Sequence, residues 1–149
     1  MLSLVIPCFN EEENLNKLLD CIDLLYKKYS EERIEVILVD NGSTDNSNEL
    51  IKKNKLFLDK KIKLIEIKKN VGYGDGITKG ISSCTGNFVA WCHADLQADL
   101  EDIIEIFLKS KQKLKNEDCI IKGKRINRGI FDAIFTSGMT VLTFLLFQT

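Results

Sequence analysis

The sequence predicts an α/β domain: a mostly parallel sheet with helices on both faces. Three observations carry this expectation. Short apolar runs of strand length alternate with longer amphipathic stretches from the first residues onward. Two of those runs, Val36 to Val39 and Phe88 to Ala94, stop at an acidic residue, Asp40 and Asp95, and buried parallel strands read as brief hydrophobic runs of this kind. No repeat, low-complexity tract or linker divides the 149 residues, and there is a single proline, so the chain is long enough for one domain with a real core.

Leu2 to Pro7 reads as the first strand. Asn10 is expected to cap the next helix, with Glu13 as its capping-box partner. Leu15, Leu18, Leu19, Ile22, Leu25 and Tyr26 then recur at helical spacing on one buried face. Ile34 to Val39 is the second strand. Gly42-Ser43-Thr44 turns the chain, Ser43 or Thr44 caps a helix, and that helix runs to Lys53. Ile62 to Ile67 is the third strand. Gly72 to Gly76 reads as a turn feeding a short helix over 77–84, which Thr85-Gly86-Asn87 ends. Phe88 to Cys92 is the fourth strand. Asp99 is expected to cap a helix carrying Ile103, Ile104, Phe107 and Leu114 on one face. Cys119 to Ile121 reads as a fifth strand, and a long apolar helix from Ile130 closes the chain.

Charge and cysteine usage narrow the function classes. With 21 basic and 22 acidic residues the net charge is −1, which offers no general attraction to nucleic acid or anionic lipid. The lysine clusters read as solvated faces. Five cysteines without a C-x-x-C, and an opening apolar run too short for a secretion signal, point to free thiols in the cytoplasm. Cys92 and His93 would point to opposite faces of a strand, which argues against a shared zinc site. Residues 130–147 are uncharged after Asp132 but short for a membrane span and interrupted by Thr136, Ser137, Gly138, Thr140 and Thr143, so a core or interfacial helix is the preferred reading. Left uncovered, Phe131, Ile134, Phe135, Leu142, Phe144, Leu145 and Phe147 would form an apolar patch. Contact with a membrane surface or concentration-dependent homo-oligomers are then expected.

Open α/β sheets bind ligands beyond the carboxyl ends of their strands, so the loops there hold the candidate chemistry. After the first strand, Pro7-Cys-Phe-Asn-Glu11 is expected to leave free backbone N–H groups at a helix start, which suit a nucleotide. After the second, Asp40 suits a ribose hydroxyl or a base N–H. After the third, Gly72-Tyr-Gly-Asp-Gly76 has neither the spacing nor the position of the dinucleotide fingerprint. That disfavours an oxidoreductase and leaves a simple turn or a close approach to a ligand. After the fourth, Asp95 and Gln97 are oxygen donors two apart and His93 lies two before. A hard divalent cation, Mg²⁺ or Mn²⁺, takes one or two such protein groups and fills its shell with water and phosphate. A hydrogen-bonded core histidine remains the alternative for His93.

Taken in order, P-x-x-N-E-E-x-N-L, V-D-N-G-S-T-D, N-x-G-x-G, A-D-L-Q and K-G-x-R resemble family 2 glycosyltransferases, most closely the branch that transfers sugars to dolichyl or polyprenyl phosphate. The five motifs span residues 4 to 128. The resemblance implies a GT-A (Rossmann-like) fold, a nucleotide-diphospho-sugar donor such as a UDP- or GDP-sugar, a divalent metal, inversion at the anomeric carbon and a polyprenyl-phosphate or saccharide acceptor. It places Pro7, Phe9, Asn10 and Glu11 along the nucleotide and Asp40 on its base or ribose. It makes Asp95 the catalytic metal ligand of the D-x-D motif, with Gln97 and His93 beside it, and sets Arg125, with Arg128, toward phosphate. Residues 1–128 would be the nucleotide-sugar-binding domain, and 129–149 an apolar helix opening a shortened C-terminal region, since the family continues well beyond this length. The location implied is cytoplasmic, peripheral at the inner membrane face.

Two substitutions depart from the family pattern. His93 stands where D-x-D has its first Asp, which removes one carboxylate from the metal and favours Mn²⁺ over Mg²⁺. Asn41 stands where a second Asp is frequent. The alternative is therefore a catalytically incomplete nucleotide-sugar-binding fragment or module.

Overall fold

In the computed structural model, every residue of strand β1 (Leu2–Cys8) is buried, as a central strand covered on both faces requires. Residues 1–116 and 119–123 are described here. The chain divides into two units, 1–117 and 118–149, and the elements below belong to the first. β1 lies between β2 (Ile34–Asp40) and β4 (Phe88–Trp91), and β3 (Ile62–Glu66) flanks β2, so the sheet order is β3-β2-β1-β4. All three pairings are parallel. Cys8, Asp40 and Glu66 end level with one another, whereas β4 stops short, with Trp91 level with Val5.

That stagger accommodates the proline. The Cys92 N–H donates to the Val5 carbonyl at 3.2 Å, so odd-numbered positions of β1 turn their backbone groups toward β4. Pro7 has no N–H to give and falls beyond the end of β4, where the ladder needs none.

Alternate residues of the strands divide between two cores. Leu2, Leu4, Ile6, Val36 and Leu38 pack with α1 (Glu12–Lys28) through Leu15, Leu18, Leu19, Ile22 and Leu25, and with α5 (Leu100–Asn116) through Leu100, Ile104 and Phe107. The short helices α2 (Ser47–Lys53) and α3 (Lys55–Leu58) add Ile51 and Leu56 to this side. Val5, Ile37 and Val39 face the other way, beneath α4 (Tyr73–Ser82). Helices therefore cover both faces of the sheet.

Helix α4 corrects the sequence expectation. It begins at Tyr73 rather than Ile77, and its buried glycines, Gly76 and Gly80, are packing positions. A Cβ on Gly80 would lie 2.2 Å from Val5 Cγ1 and 3.0 Å from Val39 Cγ2, and one on Gly76 would lie 3.4 Å from Pro7 Cβ. Gly76 and Gly80, four residues apart, bring the helix backbone onto the sheet. Three further expectations change. α1 starts at Glu12, with Asn10 outside it in a left-handed conformation (φ 54°). α2 starts at Ser47, so neither Ser43 nor Thr44 caps it. No strand forms over Cys119–Ile121, a run too short to hold a ladder, where Ile120 is 86% exposed. Asp99 does cap α5, accepting from the Glu101 N–H at 2.9 Å. No helix among the described residues is long and apolar enough to cross a membrane. Arg125, Arg128 and the expected helix over 130–147 lie outside the described residues.

Gly80→Ala should lower stability by about 1–3 kcal/mol despite a gain of about 1 kcal/mol in helix propensity, because the new methyl overlaps Val5. Adding Val5→Ala should recover part of that loss in a double-mutant cycle read by urea unfolding. Simple additivity would show that α4 does not sit this close.

Candidate donor site at the carboxyl edge of the sheet

The loops after β1 and β2 are tied to each other. The Glu11 and Glu12 N–H groups that open α1 donate to Ser47 Oγ (2.9 Å) and Asp45 Oδ2 (3.1 Å) across the gap. The Asn10 N–H donates to Ser43 Oγ at 3.1 Å, and Asn10 Oδ1 accepts from the Thr44 N–H at 2.8 Å. Glu12 returns the exchange, accepting from the Asn46 N–H and its side-chain amide at 3.2 and 2.8 Å. The expectation of free N–H groups waiting for a nucleotide is therefore corrected: the second loop already occupies those at Asn10, Glu11 and Glu12. Asn10 is a brace between loops rather than a cap, and a left-handed asparagine is what the tight approach needs.

Asp40 is buried at the end of β2, where Oδ1 accepts from the Ser43 N–H (3.0 Å) and Oδ2 from Asn48 Nδ2 (2.6 Å). Asn41, only 2% exposed, donates through Nδ2 to Gly72 O (3.0 Å) and Asn70 Oδ1 (3.3 Å). It thereby latches the loop after β3 to the end of β2. Gly42 (φ 75°) completes this contact, since a Cβ there would meet the Asn70 N at 2.6 Å. Asn41 Oδ1 is buried without a hydrogen-bond partner among the described residues, an arrangement that persists chiefly at ligand or water positions.

The other candidate residues fall around β1 and β4. Pro7 is buried at the end of β1, against Gly76 of α4. Phe9 is exposed just beyond β1, and Glu11 is half-buried, accepting from Asn14 Nδ2 at 2.8 Å. After β4 the chain carries His93, Asp95 and Gln97 out of the sheet. Asp95 Oδ1 accepts from the Gln97 N–H at 3.1 Å and holds the turn, whose Leu96 has φ 58°. His93 is exposed and stacks on Tyr73, ring centroids 4.4 Å apart and planes within 3°. Neither the stack nor the Asn41 latch was foreseen.

The floor of this region is two buried thiols. Burial pushes the Cys8 thiol far up, and the charges of Glu11 and Asp40 push the same way. Burial, with Asp95 nearby, pushes Cys92 up to about 12. Burial and the Cys92 and Asp95 charges also raise the Tyr73 phenol. Glu11, Asp40 and Asp95 thus share one neighbourhood, and none of them makes an ion pair with a Lys or Arg among the described residues. Glu35, at the opposite end of the sheet, differs. Burial opposes its ionisation, but Lys63, the Ser3 hydroxyl and Thr85 outweigh burial and hold it down at about 2. No cluster of three His, Cys, Asp or Glu suited to a metal occurs among the described residues. A cation here would rest on Asp95 and His93, with other oxygens completing its shell. That fits a hard ion shared with a diphosphate.

The strand order places this site at a topological switch. From β1 the chain proceeds to β2 and β3 on one side and returns to β4 on the other, and the crevice beyond the β1 and β4 ends is where such sheets bind ligands.

The family model for glycosyl transferase family 2 matches residues 3–135. The chain belongs to that family. A dodecaprenyl-phosphate galacturonate synthase from Rhizobium johnstonii is 32% identical over 136 residues, 87% of this chain and 38% of that protein. An undecaprenyl-phosphate 4-deoxy-4-formamido-L-arabinose transferase from Proteus mirabilis is 37% identical over 101 residues, 68% of this chain and 31% of that protein. The fold is also that of a solved GT-A structure, the mannosyltransferase PcManGT from Pyrobaculum calidifontis in complex with GDP-Man and Mn²⁺. It superposes with a TM-score of 0.60 at 21% identity, over 72% of this chain and 31% of that one. This family 2 chain thus spans about a third of the length of the curated relatives it matches.

Removing the acceptor for the Glu11 N–H tests the loop tie. Ser47→Ala should cost about 1–2 kcal/mol and speed amide exchange at Glu11 and Glu12 while the β-strand amides stay protected. Unchanged exchange at the start of α1 would contradict the tie.

Proposed function

We propose that this chain is the donor-binding part of a metal-dependent, inverting glycosyltransferase that moves a sugar from a nucleotide-diphospho-sugar to a polyprenyl phosphate. The supporting observation is the charge of the crevice. A diphosphate cannot lie among Glu11, Asp40 and Asp95 without a cation between them, and Asp95 and His93 offer donors for one. Phe9 supplies an exposed ring for the base, and Asp40 an acidic group at the end of β2 for the ribose or base. The lipid-phosphate acceptor is supported by the names of the two curated relatives, and a nucleotide-diphospho-sugar with a divalent cation by the mannosyltransferase complex with GDP-Man and Mn²⁺; a UDP-sugar and Mg²⁺ are the alternatives carried with it.

When bound, the cation neutralises the departing diphosphate. The residues of the chain hold and orient. Asp95 fixes the cation corner through its bond to the Gln97 N–H, and the Asn41 latch holds the loop after β3 against the strand ends. A lipid phosphate is already an anion and needs no strong base to attack, whereas a sugar hydroxyl requires one. Arg125, outside the described residues, is assigned to the leaving phosphate, and Gln97 to the cation. The proposed location is cytoplasmic, at the inner membrane face, with residues 130–147 as the contact to the membrane or to a second copy. A binding-only module is the second reading, favoured by His93 in place of an acidic ligand.

A thermal-shift panel separates these readings from a non-nucleotide function. UDP or GDP at about 100 times its Kd, with Mn²⁺, should stabilise the chain by about 2.7 kcal/mol, raising Tm by several degrees. Chelator or Asp95→Ala should remove the metal-dependent part. A shift insensitive to both contradicts the cation bridge. Sugar transfer to a polyprenyl phosphate then distinguishes the enzyme from the module.

A further inference from the structure

We infer that Tyr73 is a positioning residue that fixes the imidazole plane of His93 and so makes a histidine serve at a corner where a carboxylate would otherwise stand. The inference rests on the donor-site reading above. The observation behind it is the parallel stack of the two rings, 4.4 Å between centroids and 3° between planes. His93 follows β4, while Tyr73 is the first residue of α4, so the contact joins two separate elements of the site. Among the described residues neither ring nitrogen of His93 has a hydrogen-bond or ion-pair partner, and the stack is its ring contact.

Histidine ligands ordinarily have their orientation set by a hydrogen bond from the second ring nitrogen, and losing such a partner weakens metal binding about 10–100-fold. His93 lacks that device. A face-on stack can replace it, because the nitrogen lone pairs lie in the ring plane. Covering a face leaves both nitrogens accessible at the ring edge while restricting the plane in which they point. Tyr73 is itself held. The Asn41 amide binds Gly72 O, immediately before it, and the Gly72 N–H donates to Asn70 Oδ1 at 2.8 Å. The line from the end of β2 through the loop after β3 to the His93 ring is therefore continuous. A carboxylate at position 93 would have no such use for a ring at position 73.

The chain has one histidine, so its ring protons are unambiguous in an NMR spectrum of the full chain. Tyr73→Leu should move them downfield by removing the ring current, and it should weaken Mn²⁺ binding in the presence of UDP or GDP about tenfold, read by electron paramagnetic resonance. Tyr73→Phe should keep both properties, since the ring and not the hydroxyl is required. In a His93→Ala background, Tyr73→Leu should have no further effect on Mn²⁺ binding. Tyr73→Leu with wild-type Mn²⁺ affinity, or an equal loss in the His93→Ala background, overturns the inference and leaves the donor site standing. Failure of the unsubstituted chain to bind Mn²⁺ with either nucleotide overturns both.

Discussion

The N–H groups that open α1 have no capping side chain of their own, and the loop after β2 supplies the acceptors instead. A helix start left unsatisfied next to a buried core is costly, so these two loops can only be ordered together. The exchange runs both ways, with Asp45 and Ser47 accepting from the first loop and Glu12 accepting from the second. The result is one polar body along the carboxyl ends of β1 and β2. The loop after β3 joins it through Asn41 and Gly42. The segment after β4, which carries His93 and Asp95, meets this body through the stack of His93 on Tyr73.

Charge is distributed unequally between the two ends of the sheet. At the amino ends, Glu35 is matched by Lys63, Ser3 and Thr85. At the carboxyl ends, Glu11, Asp40 and Asp95 are braced by neutral donors and have no cationic side chain among the described residues. Glu66, at the same edge, is paired with Lys52 at 2.6 Å, so only the carboxylates around β1 and β4 stay without an ion pair among the described residues, as the proposed cation site would require. Membership of glycosyl transferase family 2 is in keeping with that edge, and the strand order puts the crevice at the switch between β1 and β4.

The strands and the two long helices were legible because their hydrophobic periods are unmistakable. Leu15, Leu18, Leu19, Ile22 and Leu25 fall on the buried face that their spacing indicates. The ends of elements were not legible, for a physical reason. Asn10, Ser43 and Thr44 are good caps by local chemistry, but their partners lie in the opposite loop, more than thirty residues away in sequence. Gly76 looked like part of a turn because its helical use depends on Asn41 and Pro7, which approach it only in the folded sheet. Of the site residues, the position of Asp40 at a strand end could be read directly, whereas β4 stops at Trp91 and leaves Asp95 in the turn beyond it. The stack that occupies His93 could not be read, since nothing in the motif that contains it points to Tyr73.

The central claim is that a cation binds a nucleoside diphosphate in the crevice beyond β1 and β4. An amide-resolved NMR titration of the full chain with UDP and GDP, with Mg²⁺ and then with chelator, addresses it most directly. The account predicts shifts concentrated at residues 9–12 and 92–99 that collapse when the metal is removed. Shifts concentrated instead at the groove lined by Ile65, Lys68, Lys69 and Ser82, or shifts unchanged by chelator, would contradict it.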